Sequence, residues 1–269
     1  MFPLKDNIPT RRFPIVTVAI IVANVLVFFL FQKAKLSLGG AEIDQINTVE
    51  YGAIPYEITH PGDECGLPRD PVTGELLPTL ACEGQEGVVG QAPDQPPAYL
   101  TIFTSMFMHG GLLHILGNML FLWIFGNNVE DAMGRIKFIL FYLAGGIAAL
   151  LAQTLAGPNA AIPTIGASGA VAAVLGGYIL LYPRARVVTL IFIIIFVTVI
   201  ELPAMIVLGL WFLLQLFYGA AEFTQPVAGG GGVAYFAHIG GFIFGLALIR
   251  LLAKDVRDDY ERGDRIPVY

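Results

Sequence analysis

The sequence is short of charged residues. Only 13% of its 269 residues are Asp, Glu, Lys or Arg, against about 25% in an ordinary soluble domain. Hydrophobic residues make up 56% of the chain, and its mean hydropathy is +0.71. A chain of this composition cannot expose enough polar surface to stay in water, so the sequence predicts an integral membrane protein.

Cysteine is scarce as well. The chain has two, Cys65 and Cys82, both in one polar segment. With so few other ligands nearby they do not predict a zinc site, and no metal is expected. If this segment faces an oxidising compartment, two thiols in one loop can close it. We therefore favour a Cys65–Cys82 disulfide over two free thiols.

Apolar runs, by contrast, are plentiful. About 20 apolar residues cross the hydrocarbon core of a bilayer, and the sequence predicts six spans at residues 13–32, 112–126, 136–156, 167–182, 202–217 and 233–253. A further apolar run, 187–200, is expected to be an interfacial or re-entrant segment. It ends at "IELPA", where Pro203 is compatible with the first turn of the fifth span. Glu201 is expected to cap the N-terminus of that helix. The predicted fold is an all-α, six-helix membrane bundle.

Lys and Arg are unevenly distributed between the predicted loops. With the N-terminus in the cytoplasm, twelve of the 15 Lys and Arg residues lie inside, and Lys33, Lys35 and Arg69 lie outside. The positive-inside rule therefore predicts cytoplasmic N- and C-termini. No small-residue cleavage site follows the first apolar run, so we expect that span to be an uncleaved signal anchor.

The spans divide the chain into five parts: a cytoplasmic tail (1–12), a first transmembrane helix (13–32), an extracytoplasmic loop (33–100), a core of five spans (101–253) and a second cytoplasmic tail (254–269). The loop is rich in Pro, Gly, Asp and Glu, and we expect turns with little core. Most acidic residues lie in this loop and the C-terminal tail, so the net charge of −6 does not indicate a nucleic-acid partner.

Polar residues within the spans are candidate functional residues, because a polar group at membrane depth is costly. His114 and Asn118 lie on one face of the second span. Ser168 lies at the outer end of the fourth, and His238 lies at comparable depth in the sixth. Each has an ordinary structural alternative. A serine in a membrane helix usually bonds its own helix, and His114 with Asn118 can simply join two helices.

Taken together, these side chains supply the groups of a serine hydrolase. The hydroxyl of Ser168 needs a base, and histidine is the best-tuned one, which assigns that role to His238. Small residues allow the two spans to approach each other: Gly169, Ala172, Ala173 and Gly176 in the fourth, and Gly241 and Gly245 in the sixth. The backbone N–H of Ser168 and the side chains of Asn118 and His114 are the candidate oxyanion donors.

This combination resembles the rhomboid family of intramembrane serine proteases. The residues that carry the resemblance are His114-x-x-x-Asn118, Gly126-x-x-x-Glu130, Gly166-Ala167-Ser168-Gly169 and Ala237-His238-x-x-Gly241-x-x-x-Gly245. The similarity covers about residues 99–253. It implies a Ser168–His238 dyad without a carboxylate, oxyanion positions at His114 and Asn118, and structural positions at Gly126 and Glu130.

The resemblance also implies a fold, a substrate class and a location. The fourth span is expected to lie short and central in the bundle, below a water-filled cavity that opens to the extracytoplasmic side. The implied partners are transmembrane protein substrates within the lipid bilayer, and no cofactor is implied. We expect substrates to enter near the second and fifth spans, with the glycine run 229–232 as a mobile lid. The bacterial plasma membrane is the default location, because no organelle-targeting segment is visible.

Two departures from the family pattern stand out. The Trp-Arg pair that well-known bacterial members carry before the second span is missing, and the region reads "PPAYLTIF". Ala172 stands where some members place an aromatic residue beneath the catalytic histidine. Another group must therefore hold the ring of His238.

Two other classes of function remain open. A small transporter or channel would also carry polar groups within its spans, but the chain shows no paired repeats and no acidic residue within residues 112–126, 136–156 or 167–182. A non-catalytic rhomboid-like protein would bind membrane clients. Such proteins usually lack the serine or the histidine, and this chain has both.

Overall fold

The computed structural model describes residues 2–37, 40–68, 73–74, 80–84, 96–193, 196–224 and 233–253. The described chain is mostly helical. Its α-helices are α1 (Ile15–Leu26), α2 (Gln45–Tyr51), α3 (Pro55–Thr59), α4 (Ala98–Thr104), α5 (Leu112–Phe121), α6 (Asn127–Met133), α7 (Arg135–Ala156), α8 (Ser168–Leu181), α9 (Ala204–Thr224) and α10 (Tyr235–Leu252). A π-helical turn, Val27–Phe31, extends α1, and another, Leu122–Gly126, joins α5 to α6.

Four helices in the described part of the chain are long and apolar enough to cross a membrane: Leu112–Met133, α7, α9 and α10. Their outer faces carry large exposed apolar side chains such as Leu113, Leu155 and Leu251, which suit contact with lipid tails. Ile15–Phe31 and α8 are apolar but shorter. They coincide with the predicted first and fourth spans. Because they are shorter than the other four helices, the count of six membrane spans stays a prediction.

The all-α prediction needs a correction, because three strands form an antiparallel sheet. Its order is β1–β6–β7, from Phe2–Asp6, Arg186–Ile193 and Phe196–Pro203. The run 187–200 is thus a β-hairpin, and part of the predicted N-terminal tail pairs with it. Val, Ile and Thr dominate this run and favour extended backbone. An apolar run of this kind cannot be assigned to helix or strand from periodicity alone.

The start of the fifth span also differs from the prediction. Pro203 ends β7, and helix α9 begins one residue later at Ala204. Glu201, expected to cap that helix, lies on β7 instead, where its carboxylate pairs with Arg186 at 3.4 Å. Both side chains are largely exposed, so this pair adds little stability.

Helix α8 lies at the centre of the bundle, packed between α7 and α10. Ten of its fourteen residues are buried. The contact with α10 is a backbone contact at glycine: a Cβ on Gly176 would overlap the carbonyl of Phe242, and one on Gly245 would overlap the carbonyl of Ala173. Glycine therefore sets the separation of the two helices that carry Ser168 and His238.

The segment after α1 has a small core of its own, with four buried residues among those described. Strands β4 (Cys65–Gly66) and β5 (Ala81–Cys82) pair, and the Cys65–Cys82 disulfide joins them. Both cysteines pack with Ile54 and Tyr56. A third hairpin, β2 (Lys35–Ser37) with β3 (Gly40–Glu42), precedes α2.

This disulfide-containing segment rests on the loop that leads to Ser168. Ala53 pairs with Thr164 through two backbone hydrogen bonds of 3.3 and 2.8 Å. The N–H of Tyr56 donates to the carbonyl of Ala160, and the hydroxyl of Thr59 donates to that of Pro158. The disulfide-containing segment and the 158–164 loop therefore support each other.

Glu57 makes the stability of the disulfide-containing segment depend on pH. Burial raises the pKa of its carboxyl from 4.5 to about 7, despite a hydrogen bond from the Cys65 N–H, and Glu64 adds to the rise. Between pH 4.5 and 7 the folded state holds a proton that the unfolded state has lost, so stability falls as pH rises through this window.

We expect Glu57→Gln to stabilise the protein at pH 8 and to have little effect at pH 4.5. Glutamine keeps an acceptor for the Cys65 N–H but carries no charge to desolvate. Thermal unfolding in detergent micelles at the two pH values measures the difference. An equal effect of the substitution at both would contradict this prediction.

Candidate active site

Ser168 opens helix α8 and is half-buried. The first N–H groups of a helix have no partner within it and can bind negative charge. Just before the serine, the N–H of Gly166 donates to the carbonyl of Ser105 at 2.9 Å. A small cavity beside Ser168 is also lined by Gly166, Ala234 and Ala237. The serine thus lies at a helix N-terminus beside open space.

His114 faces the same space with a defined tautomer. The N–H of Gly110 donates to Nδ1 of His114 at 3.2 Å, so Nδ1 holds a lone pair and the proton of the neutral ring lies on Nε2. A Cβ on Gly166 would lie 2.7 Å from this Nε2 and 3.5 Å from Oγ of Ser168. Glycine at 166, with φ +126°, leaves that space open to both groups.

Asn118 lies one helical turn after His114 on α5 and is buried. Within the part of the chain that the structure describes, its amide nitrogen Nδ2 makes no hydrogen bond. A buried donor without a partner is costly, and such groups are typical of sites that receive a ligand. Asn118 and His114 therefore present two N–H donors on one helix face.

His238 lies in the first turn of α10, and 9% of it is exposed. A Cβ on Gly169 would lie 3.9 Å from Cβ of Ala237, so the residues adjacent to Ser168 and His238 are neighbours. Among the described residues, no hydrogen bond joins Oγ of Ser168 to the ring of His238. Catalytic hydrogen bonds are often long in proteins without substrate and tighten when it binds.

Two residues of α9 hold the ring of His238. Its Nδ1 lies 2.9 Å from Oε1 of Gln215, and the ring of Trp211 lies 5.7 Å away, centroid to centroid. These contacts support the imidazole ring, which the small side chain of Ala172 cannot do. Gln215 was not among the residues predicted from the sequence, although it is a polar residue in an apolar span and such groups are costly at membrane depth.

The sequence predicts that His109, at the loop edge, is an interfacial polar residue, and this prediction is wrong. His109 is fully buried, and its ring meets that of His114 edge to face at 5.1 Å. Neither ring nitrogen has a hydrogen-bond partner among the described residues. Its backbone N–H donates to Gln32 at the end of the first helix, which fixes the loop ahead of α5.

Gly126 and Glu130 have structural positions. The buried carboxylate of Glu130 accepts the N–H of Val16 at 3.1 Å, and the N–H and hydroxyl of Thr17 at 2.8 Å each. It thereby satisfies donors at the start of α1, where no local side chain caps the helix. A Cβ on Gly126 would lie 3.4 Å from the Thr17 methyl. Both positions fasten the first helix to the bundle.

Comparison with known proteins places this site in a family. The sequence profile of the rhomboid domain matches residues 96–255. The chain belongs to the rhomboid family. The match spans the helices that carry all four candidate site residues: His114, Asn118, Ser168 and His238. A rhomboid domain with long apolar helices makes this a multi-pass membrane protein.

Curated rhomboid relatives are similar over parts of their length. Mitochondrial rhomboid protein 1 of Saccharomyces cerevisiae is 29% identical over 175 residues, or 63% of this chain and 46% of the relative. Rhomboid protease GluP of Bacillus subtilis is 39% identical over 75 residues, or 28% and 14%. Mitochondrial presenilin-associated rhomboid-like protein A of Danio rerio is 28% identical over 152 residues, or 55% and 36%. The chain thus spans less than half of each relative.

Three predictions are not addressed by this rhomboid structure. The glycine run 229–232 and the tail 254–269 lie outside the described residues. The relatives come from mitochondria and from a bacterium, so the bacterial plasma membrane stays a prediction.

Proposed function

We propose that this rhomboid protein is an intramembrane serine endopeptidase that cleaves transmembrane segments of other membrane proteins. The observation that carries the proposal is the position of Ser168. Its hydroxyl and the Nε2–H of His114 face the same space, which the missing side chain of Gly166 leaves open. The serine also begins a helix whose second residue packs near Ala237, next to His238.

The proposed reaction is acyl transfer to serine followed by hydrolysis. Nε2 of His238 accepts the hydroxyl proton as Oγ of Ser168 attacks the peptide carbonyl. The oxyanion forms against the amide of Asn118, Nε2–H of His114 and the backbone N–H of Ser168. His238 then gives its proton to the leaving amine. Finally, it activates a water that releases the acyl group from Ser168.

The proposed orientation has six crossings, both termini in the cytoplasm and the site open to the opposite face. Two strand pairings support it. β1, before the first helix, pairs with β6, which follows the first four predicted spans, so an even number of crossings separates them. Ala53 likewise pairs with Thr164 across two helices, Leu112–Met133 and α7.

Lateral entry of substrate near α9 follows from the sparse packing of this helix. Only 28% of the apolar stretch of α9 is buried inside the protein, against 56% for the helix Leu112–Met133. Leu213 and Phe217 are 61% and 67% exposed. Glycine or proline near the scissile bond of a substrate would lower the cost of unwinding it for attack.

The proposal is tested with purified protein in detergent micelles and a model single-span substrate. We expect wild type to cleave it, and a fluorophosphonate probe to label Ser168. His238→Ala should lose both activities, because the serine then lacks its base. If wild type is inactive and Ser168 is not labelled, the non-catalytic, client-binding alternative replaces this proposal.

Asn118→Ala is expected to reduce kcat by roughly 10²–10³, the usual cost of one oxyanion donor, with KM nearly unchanged. Steady-state kinetics on the same substrate measures both constants. Gly117→Ala is the control on the same helix, because a Cβ there meets nothing within 4 Å. Equal kcat values for Asn118→Ala and the control would remove Asn118 from the oxyanion hole.

A further inference from the structure

We propose that Gln215 is a positioning residue for His238, and that its side-chain amide fixes the tautomer in which the imidazole can accept a proton from Ser168. The proposal rests on the proposed function, because it assigns a role within the same site. It accounts for a buried polar side chain on α9, a helix that carries neither member of the dyad.

The orientation of the Gln215 amide follows from its two contacts. At one end, Nε2 lies 3.3 Å from the carbonyl oxygen of Trp211, one turn earlier in α9. A carbonyl only accepts, so the NH₂ group must lie at this end. The amide oxygen Oε1 therefore lies at the other end, 2.9 Å from Nδ1 of His238.

The tautomer of His238 follows from that orientation. Oε1 of Gln215 only accepts, so Nδ1 of His238 must carry the proton. A neutral imidazole has one N–H, and Nε2 is then left with a lone pair. A general base needs that lone pair directed at the nucleophile, and a partner on the opposite nitrogen is the usual way to provide it.

The groups that orient the ring of His238 lie on α9. Ala172, on α8, is buried but has only a methyl group, which cannot stack on an imidazole. Trp211 covers the ring from α9, with an interplanar angle of 37°. Both Gln215 and His238 are more than 90% buried, so water does not compete strongly for Nδ1. One turn of α9 thus supplies the ring contact and the hydrogen bond.

A neutral amide differs from the carboxylate of a Ser-His-Asp triad. It orients the imidazole and accepts from Nδ1–H before and after protonation, but it adds no negative charge to stabilise the imidazolium. In this arrangement the amide also avoids the cost of an ionised carboxylate at membrane depth. Gln215 thus provides orientation without charge.

The test replaces Gln215 with methionine, which has a similar length and no acceptor oxygen. We expect kcat to fall roughly 10- to 100-fold, by analogy with the loss of the hydrogen-bond partner that orients a metal-bound histidine. KM should change less than about twofold and the melting temperature should be preserved, because binding and packing are retained. Gln215→Glu, which restores an acceptor, is expected to recover part of the lost kcat.

Leu155→Met is the control, since this residue lies on α7, outside the helix proposed for substrate entry, and faces outward, 82% exposed. A fall in melting temperature that fully accounts for the loss in Gln215→Met would assign a structural role and overturn the proposal. So would wild-type kcat in Gln215→Met. In either case the proposed protease activity still stands, because wild type cleaves the substrate.

Nitrogen NMR of histidine-labelled protein tests the tautomer without activity. We expect the His238 ring of wild type to carry its proton on Nδ1, and that preference to weaken in Gln215→Met. A proton on Nε2 in wild type would overturn the proposal even if the enzyme is active. If the proton lies on Nδ1 but the protein does not cleave the substrate, the contact between Gln215 and His238 is supported and the proposed protease function is overturned.

Discussion

Ser168→Ala is expected to abolish cleavage, lowering the rate by about 10⁴ or more. Loss of the nucleophile removes the covalent route altogether, and what remains comes from binding and the oxyanion donors. The change deletes one half-buried hydroxyl that makes no hydrogen bond within the described structure, so the fold should be preserved. Gel assays of a single-span substrate in micelles measure the loss.

Thermal unfolding of Ser168→Ala provides the control. An unchanged melting temperature would assign the loss of cleavage to chemistry. Labelling by a fluorophosphonate probe should disappear in the same variant, because the labelled atom is gone. Cleavage at the wild-type rate by Ser168→Ala would end the serine-protease proposal.

Gly245→Ala has the largest expected effect on stability, about 2–3 kcal/mol. A Cβ at this position would overlap the carbonyl oxygen of Ala173 and lie 2.9 Å from the N–H nitrogen of Gly177. These are backbone atoms of the central helix, so α8 and α10 must move apart. Cleavage should fall as well, because the same two helices set the distance between Ser168 and His238.

Gly209→Ala is the matched control for that substitution. Gly209 lies within α9, and a Cβ there meets nothing within 4 Å. Alanine should be neutral or stabilise the helix by up to about 1 kcal/mol, because glycine loses more conformational freedom on folding. Thermal unfolding in micelles compares the two variants. An equal loss of stability in both would show that helix propensity, and not the close contact, explains the result.

Much of the fold could be predicted from hydropathy because lipid allows few solutions. Backbone groups in hydrocarbon must bond within their own segment, so long apolar runs become helices. The runs at 136–156 and 233–253 match α7 and α10 within a few residues. Small residues at Gly241 and Gly245 likewise predicted a close approach of α8 and α10, because only glycine allows backbone contact.

The sheet could not be predicted in the same way. The run 187–200 is as apolar as a span, and its partner strand lies near the N-terminus, where Phe2 pairs with Leu190. Pairing at this separation leaves no local pattern in the sequence. Gln215 was missed for a related reason, since the side chain that it contacts, His238, lies 23 residues further along the chain.

The four candidate site residues were identified from the sequence because each is a polar group in an apolar run. The tautomers of the two histidines were not predicted, because each depends on a single hydrogen bond to a neighbouring group. Gly110 fixes that of His114, and the proposed role of Gln215 concerns that of His238. Sequence patterns predict which groups are present, whereas the position of a proton depends on neighbours that only the fold brings together.

The pairing of β1 with β6 has a consequence for biosynthesis. A ribosome makes Phe2–Asp6 before its partner strand, Arg186–Ile193, which emerges only after helices α1 to α8 have been made. Closing so long a loop is slow compared with local helix formation. Strand β1 is therefore among the last parts of the described chain to reach its native place, and the sheet forms only on chains in which those eight helices have already been made.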